Sequence, residues 1–507
     1  GARGGRSGAH GGRSIGERTL MHVRATAEAS AASFRDPSGR VFTYQGRVLR
    51  HIQPCYARTY DRLMQEGLYQ ELVERGLLVA HEEIDPATID GPQDARGAYR
   101  IIEPERIPFI SYPYEWPFAA LKAAALATLR IQRAAIHRGL TLKDASAYNV
   151  QFVGSQPVFI DTLSFEPWEE GTPWVAYRQF CQHFLGPLAL MSHAELRLGQ
   201  LSRVFIDGPP LDLVSRLLPW HTRLKPALLM HLHLHARAQE KHGRSTAGVR
   251  SQAFGRRAML GLIDHLESAV GGLVDRDARG PWVDYYAHTH NYTAEAMADK
   301  HRLVASVIER VAPRTVWDLG ANTGAFSRLA AERGAYTLAF DGDGAAVDRH
   351  FADCVSRNDR RILPLVLDLA NPSGAIGWAH EERLSLLDRG PADLVLALGL
   401  VHHLRIANQV PFPMIAELFH RVGRSLVVEL PLPADSQVEG MLARQPAFKD
   451  GYSQEAFEQA FAPFFAIEAV HPIAQAHRRL YLMRATGTPG RSSSTGTADL
   501  SHPTGSQ

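Results

Sequence analysis

A short glycine-rich turn carries the strongest chemical signal in this sequence. Asp318, Gly320 and Gly324 stand in the segment DLGANTG, between a strand-like and a helix-like run. Such a turn presents backbone N–H groups and a helix N-terminus at one sheet edge, where an anionic or polar cofactor can approach closely. The spacing is not the GxGxxG of dinucleotide-binding enzymes, which disfavours NAD. We therefore predict another nucleotide-type cofactor here, with an ordinary tight turn as the alternative.

Later strand ends supply further polar side chains. Asp341 follows the glycines by about 20 residues, and its paired carboxylate oxygens can accept hydrogen bonds from both ribose hydroxyls. Asp343 is a second candidate for that contact, and Asp368 closes the next strand-like run, LPLVLDL. Taken singly, Asp341 could be a solvated strand end and Asp368 a helix cap. Their order along the chain favours one shared binding site.

In this order, the features resemble those of class I S-adenosylmethionine-dependent methyltransferases. Asp318, Gly320 and Gly324 match the family motif (D/E)xGxxxG, with Asn322 and Thr323 inside the turn. The segments LPLVLDLANPSGAIGW, LVHHL and DSQV look similar to a NoeA-like bacterial group of these enzymes. The resemblance implies S-adenosyl-L-methionine as cofactor, no metal in this domain, and an α/β fold with a doubly wound, mainly parallel, seven-stranded sheet.

The resemblance also implies a role for each residue. The two glycines make room for the amino-acid part of the cofactor, and Asp318 lies near the cofactor's amino group. Asp341 binds the ribose, while Asp368 and the backbone of Leu369 hold the adenine amino group. Leu398, together with the glycine that follows it, borders the sulfonium.

Methyl transfer is an in-line displacement, so the protein must position the acceptor and, for oxygen or nitrogen, remove a proton. His403, with His402 beside it, is the candidate general base, and packing is the alternative role for this pair. Glu429 ends a strand at the same edge. The following loop offers candidate acceptor contacts, with a solvated lid as the alternative: Asp435, Arg444 and Tyr452.

The acceptor is only broadly defined by the sequence. No Asn-Pro-Pro-Tyr motif follows the fourth strand-like run, which disfavours methylation of base or amide nitrogens. We predict a small molecule or glycoconjugate rather than nucleic acid. A non-catalytic module that senses the cofactor is a further hypothesis.

A second polar set lies in the N-terminal half. Asp144 and Asn149 are five residues apart, and Asp161 follows 17 residues after Asp144 at the end of an apolar strand. This order is similar to the catalytic loop and metal-binding aspartate of protein-kinase-like and aminoglycoside-phosphotransferase-like folds. The resemblance implies that Asp144 orients a hydroxyl nucleophile, and that Asn149 and Asp161 hold Mg²⁺ beside ATP.

The match to kinase-like folds is incomplete. Lys143 stands where His or Tyr usually precedes the aspartate, and no full glycine-rich phosphate loop occurs upstream. Arg50 takes the place nearest to the usual lysine, with Glu66 or Glu71 as its helix partner, and arginine binds phosphate differently from lysine. Three hypotheses stay open: a phosphotransferase, a degenerate module that binds substrate or nucleotide, and a hairpin with both aspartates as caps.

The elements that position these residues fall into consecutive blocks. Residues 31–165 form an α+β module for which a kinase-like fold is one hypothesis. The segment IPFISY predicts a strand, and YARTYDRLMQEGLYQELVERG and PFAALKAAALATLRIQRAAIHRG each predict one long helix. Residues 166–300 are mainly helical and could continue that module. Residues 301–485 alternate strands and helices and close with two strands, which predicts βαβ units and an antiparallel edge hairpin. Segments 1–30 and 486–507 have the composition of disordered chain.

Composition sets outer limits. The 507 residues are 45% hydrophobic and 21% charged, which is typical of globular proteins. A net charge of +2 predicts no strong field for nucleic acid or membranes. No secretion signal or membrane-spanning run is apparent, and three cysteines without a CxxC pair disfavour a disulfide framework. We therefore predict a cytoplasmic enzyme.

Two further groups invite a functional interpretation. His231, His233 and His235 alternate, and we expect a helix without a metal because metal ligands must converge. A segment before residue 301 could form a flap over the cofactor or pack in the ordinary way, and its candidate residues are Tyr285, Tyr286, Tyr292 and Lys300.

Overall fold

The computed structural model describes residues 28–29, 33–89, 97–234, 255–275 and 292–487. Most of the two segments predicted to be disordered lies outside these ranges, although Glu28–Ala29 pairs as a short strand. The N-terminal half begins with an antiparallel sheet in the order β1-β2-β3-β5-β4. Its strands are β1 (Glu28–Ala29), β2 (Gly39–Tyr44), β3 (Arg47–Ile52), β4 (His81–Ile84) and β5 (Arg100–Pro104).

Two helices, α1 (Ala57–Gln65) and α2 (Leu68–Glu74), connect β3 to β4. The sequence suggested one long helical run here. Gly67 divides it, because its φ of +72° is left-handed and cannot continue a right-handed helix.

The segment IPFISY was predicted to be a strand, and this prediction is wrong. Residues 107–112 form no strand. The strand of this region is β5, which ends at Pro104, before the segment begins. The backbone of Ser111 is bonded by a side chain instead: its N–H donates to Gln151 Oε1 at 2.9 Å, and its carbonyl accepts from Gln151 Nε2 at 3.0 Å. A side-chain amide therefore replaces the neighbouring strand.

The long apolar run after this segment forms a helix, as predicted. Two pairs of short antiparallel strands follow it, and the β7–β8 hairpin turns at Gly154, whose φ is +60°. Residues 31–165 thus contain both helices and strands, and the predicted boundary at 165 falls inside β9. The elements are α3 (Phe118–His137), β6 (Leu140–Leu142), β7 (Val150–Val153), β8 (Gln156–Phe159) and β9 (Phe165–Pro167).

The next region is helical, as predicted. It contains α4 (Tyr177–Phe180), α5 (Gly186–His193), α6 (Leu201–Val204), α7 (Leu211–Leu217), α8 (Pro226–Leu228) and α9 (Arg256–Gly271). Two π-helical turns, Cys181–Leu185 and Leu229–Leu234, interrupt it. The helix α10 (Ala294–Val311) crosses residue 300, so the block boundary predicted there falls inside a helix. Among the described residues, no helix combines the length and apolarity needed to cross a bilayer.

The C-terminal half is built on a mixed sheet in the order β12-β11-β10-β13-β14-β16-β15. Strands β10 to β14 pair in parallel, and β16 is antiparallel to both of its neighbours. The predicted parallel sheet with an edge hairpin is confirmed. Its elements are β10 (Thr315–Leu319), α11 (Ala325–Glu332), β11 (Tyr336–Asp341), α12 (Gly344–Ser356), β12 (Ile362–Val366), β13 (Ala392–Ala397), α13 (Phe412–Val422), β14 (Gly423–Pro431), α14 (Ser436–Arg444), α15 (Gln454–Phe461), β15 (Phe465–Pro472) and β16 (Arg478–Ala485).

Both faces of this sheet are buried. Along β10, Val316 faces the cluster formed with α10 and α11, whereas Trp317 faces the cluster that includes α13 and α15. The second cluster continues into the N-terminal half, where Phe109 meets the Trp317 ring edge-on at 5.9 Å. The two halves therefore share one hydrophobic core, and β10 carries apolar residues on both of its faces because both are covered.

Candidate cofactor and acceptor site

The glycine turn after β10 has the backbone geometry that its sequence predicts. Gly320, Asn322 and Gly324 have φ values of +77°, +52° and +82°. At Gly324, the N-cap of α11, a Cβ atom would lie 2.0 Å from the buried ring of His350. Only glycine fits there, because the conformation is left-handed and the space is already filled. Thr323 is held by its own N–H, which donates to the Asn322 side chain at 2.8 Å.

Asp318 lies directly beneath this turn. The side chain is 2% exposed and accepts a hydrogen bond from Ser327 Oγ at 2.6 Å. Burial raises the pKa of Asp318 to about 6, against the opposing effects of Ser327 and Lys300. Its carboxylate is therefore mainly ionised at pH 7, and an added positive charge nearby would favour that form further.

Asp341 joins the turn to the end of β11. Its two oxygens accept from the backbone N–H groups of Asn322 at 2.8 Å and Asp343 at 2.9 Å. Burial raises its pKa. Asp343 instead caps α12 by accepting from the N–H groups of Ala345 and Ala346. The structure therefore places Asp341 at the turn, whereas Asp343 stabilises a helix start.

The remaining predicted cofactor residues follow the next two strands. Asp368 is exposed just after β12, where its Oδ1 accepts from the Ala370 N–H at 2.9 Å, and Leu369 is half-buried beside it. Leu398 follows β13 and is 8% exposed. A Cβ built on Gly399 would lie 3.9 Å from Glu429 Oε2 at the end of β14. Four neighbouring strand ends thus contribute to one edge of the sheet.

The two histidines lie at this edge with their rings 4.2 Å apart. His402 is buried and His403 half-buried. Burial lowers the pKa of both imidazoles, and the proximity of His403 and Arg478 lowers that of His402 further. Both rings are therefore neutral at neutral pH, the form that can accept a proton.

A buried charged cluster adjoins the histidines, formed by Tyr292, Lys300, Glu429, Asp435 and Arg478. Lys300 Nζ lies 2.7 Å from Glu429 Oε2, and Arg478 Nη1 lies 3.2 Å from Glu429 Oε1. Arg478 Nε donates to Asp435 Oδ2 at 2.7 Å, and Tyr292 donates its hydroxyl to Glu429. Burial alone would raise the pKa of Glu429, but Lys300 and Arg478 lower it to about 2.

This cluster changes the interpretation of the predicted acceptor loop. The loop is largely a helix, α14, and Asp435 is both its N-cap and a partner of Arg478. Arg444 is exposed near the end of α14, while Tyr452 is buried with its hydroxyl donating to the Pro431 carbonyl at 2.7 Å. Sequence reasoning missed Arg478, for which the only signal was a pair of arginines opening an otherwise apolar strand.

The structure describes two of the four residues of the predicted flap. Tyr292 and Lys300 are buried in the charged cluster, whereas Tyr285 and Tyr286 lie outside the described residues. In the helical region, His231 is held between Tyr177 Oη at 2.7 Å and His265 Nδ1 at 2.6 Å.

The other two histidines of that run can be placed only in part. His233 contacts Ser215 Oγ at 2.7 Å and Thr222 Oγ1 at 3.0 Å. His235 lies outside the described part of the chain. The predicted helical conformation is confirmed for Leu229–Leu234, which forms a π-helical turn.

The structure connects members of the N-terminal polar set through an ion pair and hydrogen bonds. Arg50 forms an ion pair with Asp161 and donates to Asp36 Oδ2 at 2.8 Å. Asn149 donates to Ser164 Oγ at 3.2 Å, and Ser164 in turn donates to Asp161 at 2.8 Å. No group of three or more His, Cys, Asp or Glu residues suited to a metal occurs in the described ranges.

Other N-terminal expectations need revision. Glu66 and Glu71 do not pair with Arg50: they face Arg62 at 4.0 Å and Arg75 at 3.1 Å on the helix surface. Arg50 pairs with Asp36 instead, because Asp36 precedes β2, and β2 is the strand next to β3, which carries Arg50. Asp144 accepts from the Ser146 N–H at 2.9 Å, and burial raises its pKa. Lys143 donates to Ser38 Oγ at 2.7 Å.

Comparison with known proteins gives one relative across most of the chain. The nodulation protein NoeA of Rhizobium meliloti (strain 1021) is 37% identical over 458 residues, which cover 89% of this chain and 95% of that protein. This chain belongs to the NoeA family. No protein-family model matches it.

Two methyltransferase structures are similar to part of this chain. N-methyltransferase NodS from Bradyrhizobium japonicum WM9 in complex with S-adenosyl-L-homocysteine has a TM-score of 0.30 at 13% identity, over 42% of this chain and 96% of NodS. Magnesium protoporphyrin IX methyltransferase (ChlM) from Synechocystis PCC 6803 with bound S-adenosyl-L-homocysteine has a TM-score of 0.28 at 14% identity, over 40% of this chain and 98% of ChlM.

Proposed function

We propose that this protein transfers a methyl group from S-adenosyl-L-methionine to a small-molecule or glycoconjugate acceptor. The observation that carries the proposal is the convergence of the Gly320–Gly324 turn, Asp341, Asp368 and Leu398 on one sheet edge. This edge lies where the strand order reverses, between β10 and β13. Open α/β sheets bind ligands at such reversals, outside the carboxyl ends of the strands.

The residues fit the cofactor in chemistry and in space. Gly320 and Gly324 adopt the left-handed conformations that let the turn present its backbone N–H groups, and Asp318 offers a buried carboxylate for an ammonium group. Asp341 presents acceptors for ribose hydroxyls, and Asp368 presents one for an amino group. The bound cofactor would supply an electrophilic methyl group on sulfur.

The protein's own contribution to the chemical step is proton removal and positioning. We assign His403 as the base because its half-buried ring is neutral at neutral pH and because it follows Gly399 by four residues, after the end of β13. An unprotonated ring nitrogen of His403 accepts the proton of the acceptor's nucleophilic group. His402, which is fully buried against it, holds the His403 ring in place. The charged cluster forms the far wall of the acceptor side.

Calorimetry with S-adenosyl-L-homocysteine tests the proposal. We expect wild-type protein to bind it below about 100 µM, within the range of about 1 µM to 1 mM common for metabolite sites. Asp341→Ala should abolish binding, because the turn and the ribose contact are lost together. Asp353→Ala is the control: this carboxylate lies on α12 but pairs with Arg328 and Arg357 and does not bond to the glycine turn. Absence of wild-type binding would refute the proposal.

Transfer itself needs a second assay. Incubation with methyl-labelled S-adenosyl-L-methionine and a desalted cell extract should label a small molecule or glycoconjugate, and His403→Gln should reduce that labelling by about 100-fold or more. Binding without label in any extract component would favour the cofactor-sensing alternative.

We also propose that the N-terminal half binds a nucleotide or acts as a phosphotransferase, as a second candidate function. The observation that favours it is the link from Asn149 through Ser164 to Asp161, with Arg50 on the same carboxylate. ATP with Mg²⁺ would supply a transferable phosphoryl group, and Asn149 and Asp161 would hold the metal. Magnesium-dependent ATP binding should disappear in Asp161→Ala. If wild-type protein binds no ATP, this half acts as a scaffold.

A further inference from the structure

A cavity lies between the two halves, beside the proposed cofactor site. Its volume is about 300 Å³, the lower end of the range of roughly 300–1,000 Å³ for small-molecule sites. Gly342, Leu367 and Asp368 line it from the ends of β11 and β12, and Tyr114 and Leu196 line it from the N-terminal half. The cavity therefore begins where the ribose and adenine contacts are expected.

Tyr114 gives the cavity a polar group without an internal partner. The residue is 3% exposed, and its buried hydroxyl has no hydrogen-bond partner among the described residues. Burial raises the pKa of Tyr114, so the hydroxyl stays protonated and can both donate and accept. An unsatisfied buried hydroxyl is costly, and a bound ligand that bonds to it would remove that cost.

On the side of the C-terminal sheet, the cavity is lined by glycines, which leave space that side chains would fill. A Cβ at Gly342 would meet only the Leu367 carbonyl, at 3.7 Å. At Gly344, the first residue of α12, a Cβ would lie 3.2 Å from Leu196 Cδ2, so the N-terminal half touches the cofactor domain here. Asp368 adds an exposed carboxylate at the rim.

This combination suits a flat, neutral heteroaromatic ring. Tyr114 and Trp116 offer aromatic surface, and Leu196 and Leu367 offer aliphatic surface. Other polar residues also line the cavity, and three of them bond to protein partners: Arg197 to Glu195, Gln200 to the Tyr114 carbonyl and Arg203 to the Pro372 carbonyl. Two polar groups match an adenine edge: the Asp368 carboxylate can accept from an amino group, and the Tyr114 hydroxyl can bond to a ring nitrogen.

We propose that this cavity receives the adenine ring of S-adenosyl-L-methionine, so that Tyr114 and Leu196 of the N-terminal half form one wall of the cofactor site. The proposal rests on the proposed methyltransferase function. Its new content is that the C-terminal sheet does not hold the cofactor alone. The N-terminal half is then part of the binding site whatever activity it has of its own.

Cavity filling in the full-length protein tests this directly, with S-adenosyl-L-homocysteine as the probe. Leu196→Trp should weaken binding at least thirtyfold, because the indole occupies the space of the adenine. Val204→Trp is the matched control: it lies just downstream in the same region, is 74% exposed and does not line the cavity. The control should bind within twofold of wild type.

Tyr114→Phe removes one hydroxyl and leaves the ring, so it should weaken binding by about three- to tenfold, the range for one neutral hydrogen bond. A second measurement uses S-inosylhomocysteine, in which oxygen replaces the adenine amino group. Wild-type protein should bind this analogue at least tenfold more weakly than S-adenosyl-L-homocysteine, and Asp368→Asn should remove most of that preference.

The possible outcomes separate the two proposals. If wild-type protein binds S-adenosyl-L-homocysteine in an Asp341-dependent manner, but Leu196→Trp and Tyr114→Phe bind it equally well, the shared adenine wall is wrong and the methyltransferase proposal stands. An amino-group preference that survives Asp368→Asn also overturns the adenine assignment. If wild-type protein does not bind the probe, both proposals fail together.

Discussion

Glu429→Gln is the perturbation that most directly tests the electrostatics of the acceptor side. Glu429 is fully buried at the end of β14 and balances Lys300 and Arg478, whose side chains are 4% and 1% exposed. The substitution keeps the size and shape of the side chain but removes its charge. Lys300 then faces a neutral amide, and Arg478 retains only Asp435 as a buried anionic partner among the described residues, so the loss of hydration of the two cations is no longer balanced.

The cost can be worked out in two ways. The pKa of Glu429 falls from its ordinary value of 4.5 to about 2. At about 1.4 kcal/mol per pKa unit, its ionised form is stabilised in the folded protein by about 3 kcal/mol. Breaking a buried ion pair by removing one partner costs about 3–5 kcal/mol in other proteins. We therefore expect Glu429→Gln to lower the free energy of unfolding by about 3 kcal/mol at pH 7.

The pH dependence has a definite sign. Because the pKa of Glu429 is lower in the folded than in the unfolded chain, its stabilising contribution is complete above about pH 4.5. The contribution is lost as the pH falls towards 2. The stability difference between wild type and Glu429→Gln should thus be constant from pH 7 to about 5 and shrink below that.

Urea unfolding followed by tryptophan fluorescence measures the effect, as the difference in midpoint multiplied by the shared slope. Glu468→Gln is the matched control. Glu468 also faces two arginines, Arg310 at 3.5 Å and Arg484 at 2.6 Å, but both are more than half exposed. Glu468→Gln should lower the free energy of unfolding by less than about 1 kcal/mol. If both variants lower the free energy of unfolding by the same amount, burial does not strengthen the ion pairs of the charged cluster.

Three further changes have defined expectations. Gly324→Ala should destabilise the protein by at least about 2 kcal/mol in urea, because its Cβ meets His350 and its φ is left-handed. Arg389→Met should cost about 3–5 kcal/mol, since it leaves Glu115 buried and unpaired, and adding Glu115→Gln should recover part of that cost. Methyl transfer should stay constant from pH 8 down to about 6.5 and fall only below, because the pKa of His403 is lowered; a fall already at pH 7.5 would contradict its role as base.

The cofactor edge could be predicted from sequence because each of its parts is local. A strand, a turn of special backbone and a helix are encoded within about 30 consecutive residues of a βαβ unit. The carboxyl ends of parallel strands must meet at one edge, so Asp341 and Asp368 follow once the alternation of strands and helices is recognised. Local spacing could not distinguish Asp341 from Asp343, since only the hydrogen bonds show which one caps α12.

The charged cluster could not be predicted because its members are far apart in sequence. Lys300 comes from α10, Glu429 from β14 and Arg478 from β16. The antiparallel pairing of β14 with β16 brings Glu429 and Arg478 together. Tertiary contacts also explain why the segment IPFISY does not form a strand. Its apolar alternation is typical of a strand, yet the amide of Gln151 bonds to its backbone.

The segment that follows Asp368 shows why the two halves are one unit. Ser373 and Arg389 both contact Glu115, and the Leu384 N–H donates to Tyr112 Oη at 2.8 Å. The Arg389–Glu115 pair is almost fully buried, so separating the halves would expose two charges and a shared aromatic core. Any movement of the N-terminal half must therefore displace the segment that begins at the proposed adenine contact. With the proposed adenine contact at Asp368, we therefore expect cofactor affinity to depend on the position of the N-terminal half, because Ser373 and Arg389 connect the segment after Asp368 to Glu115.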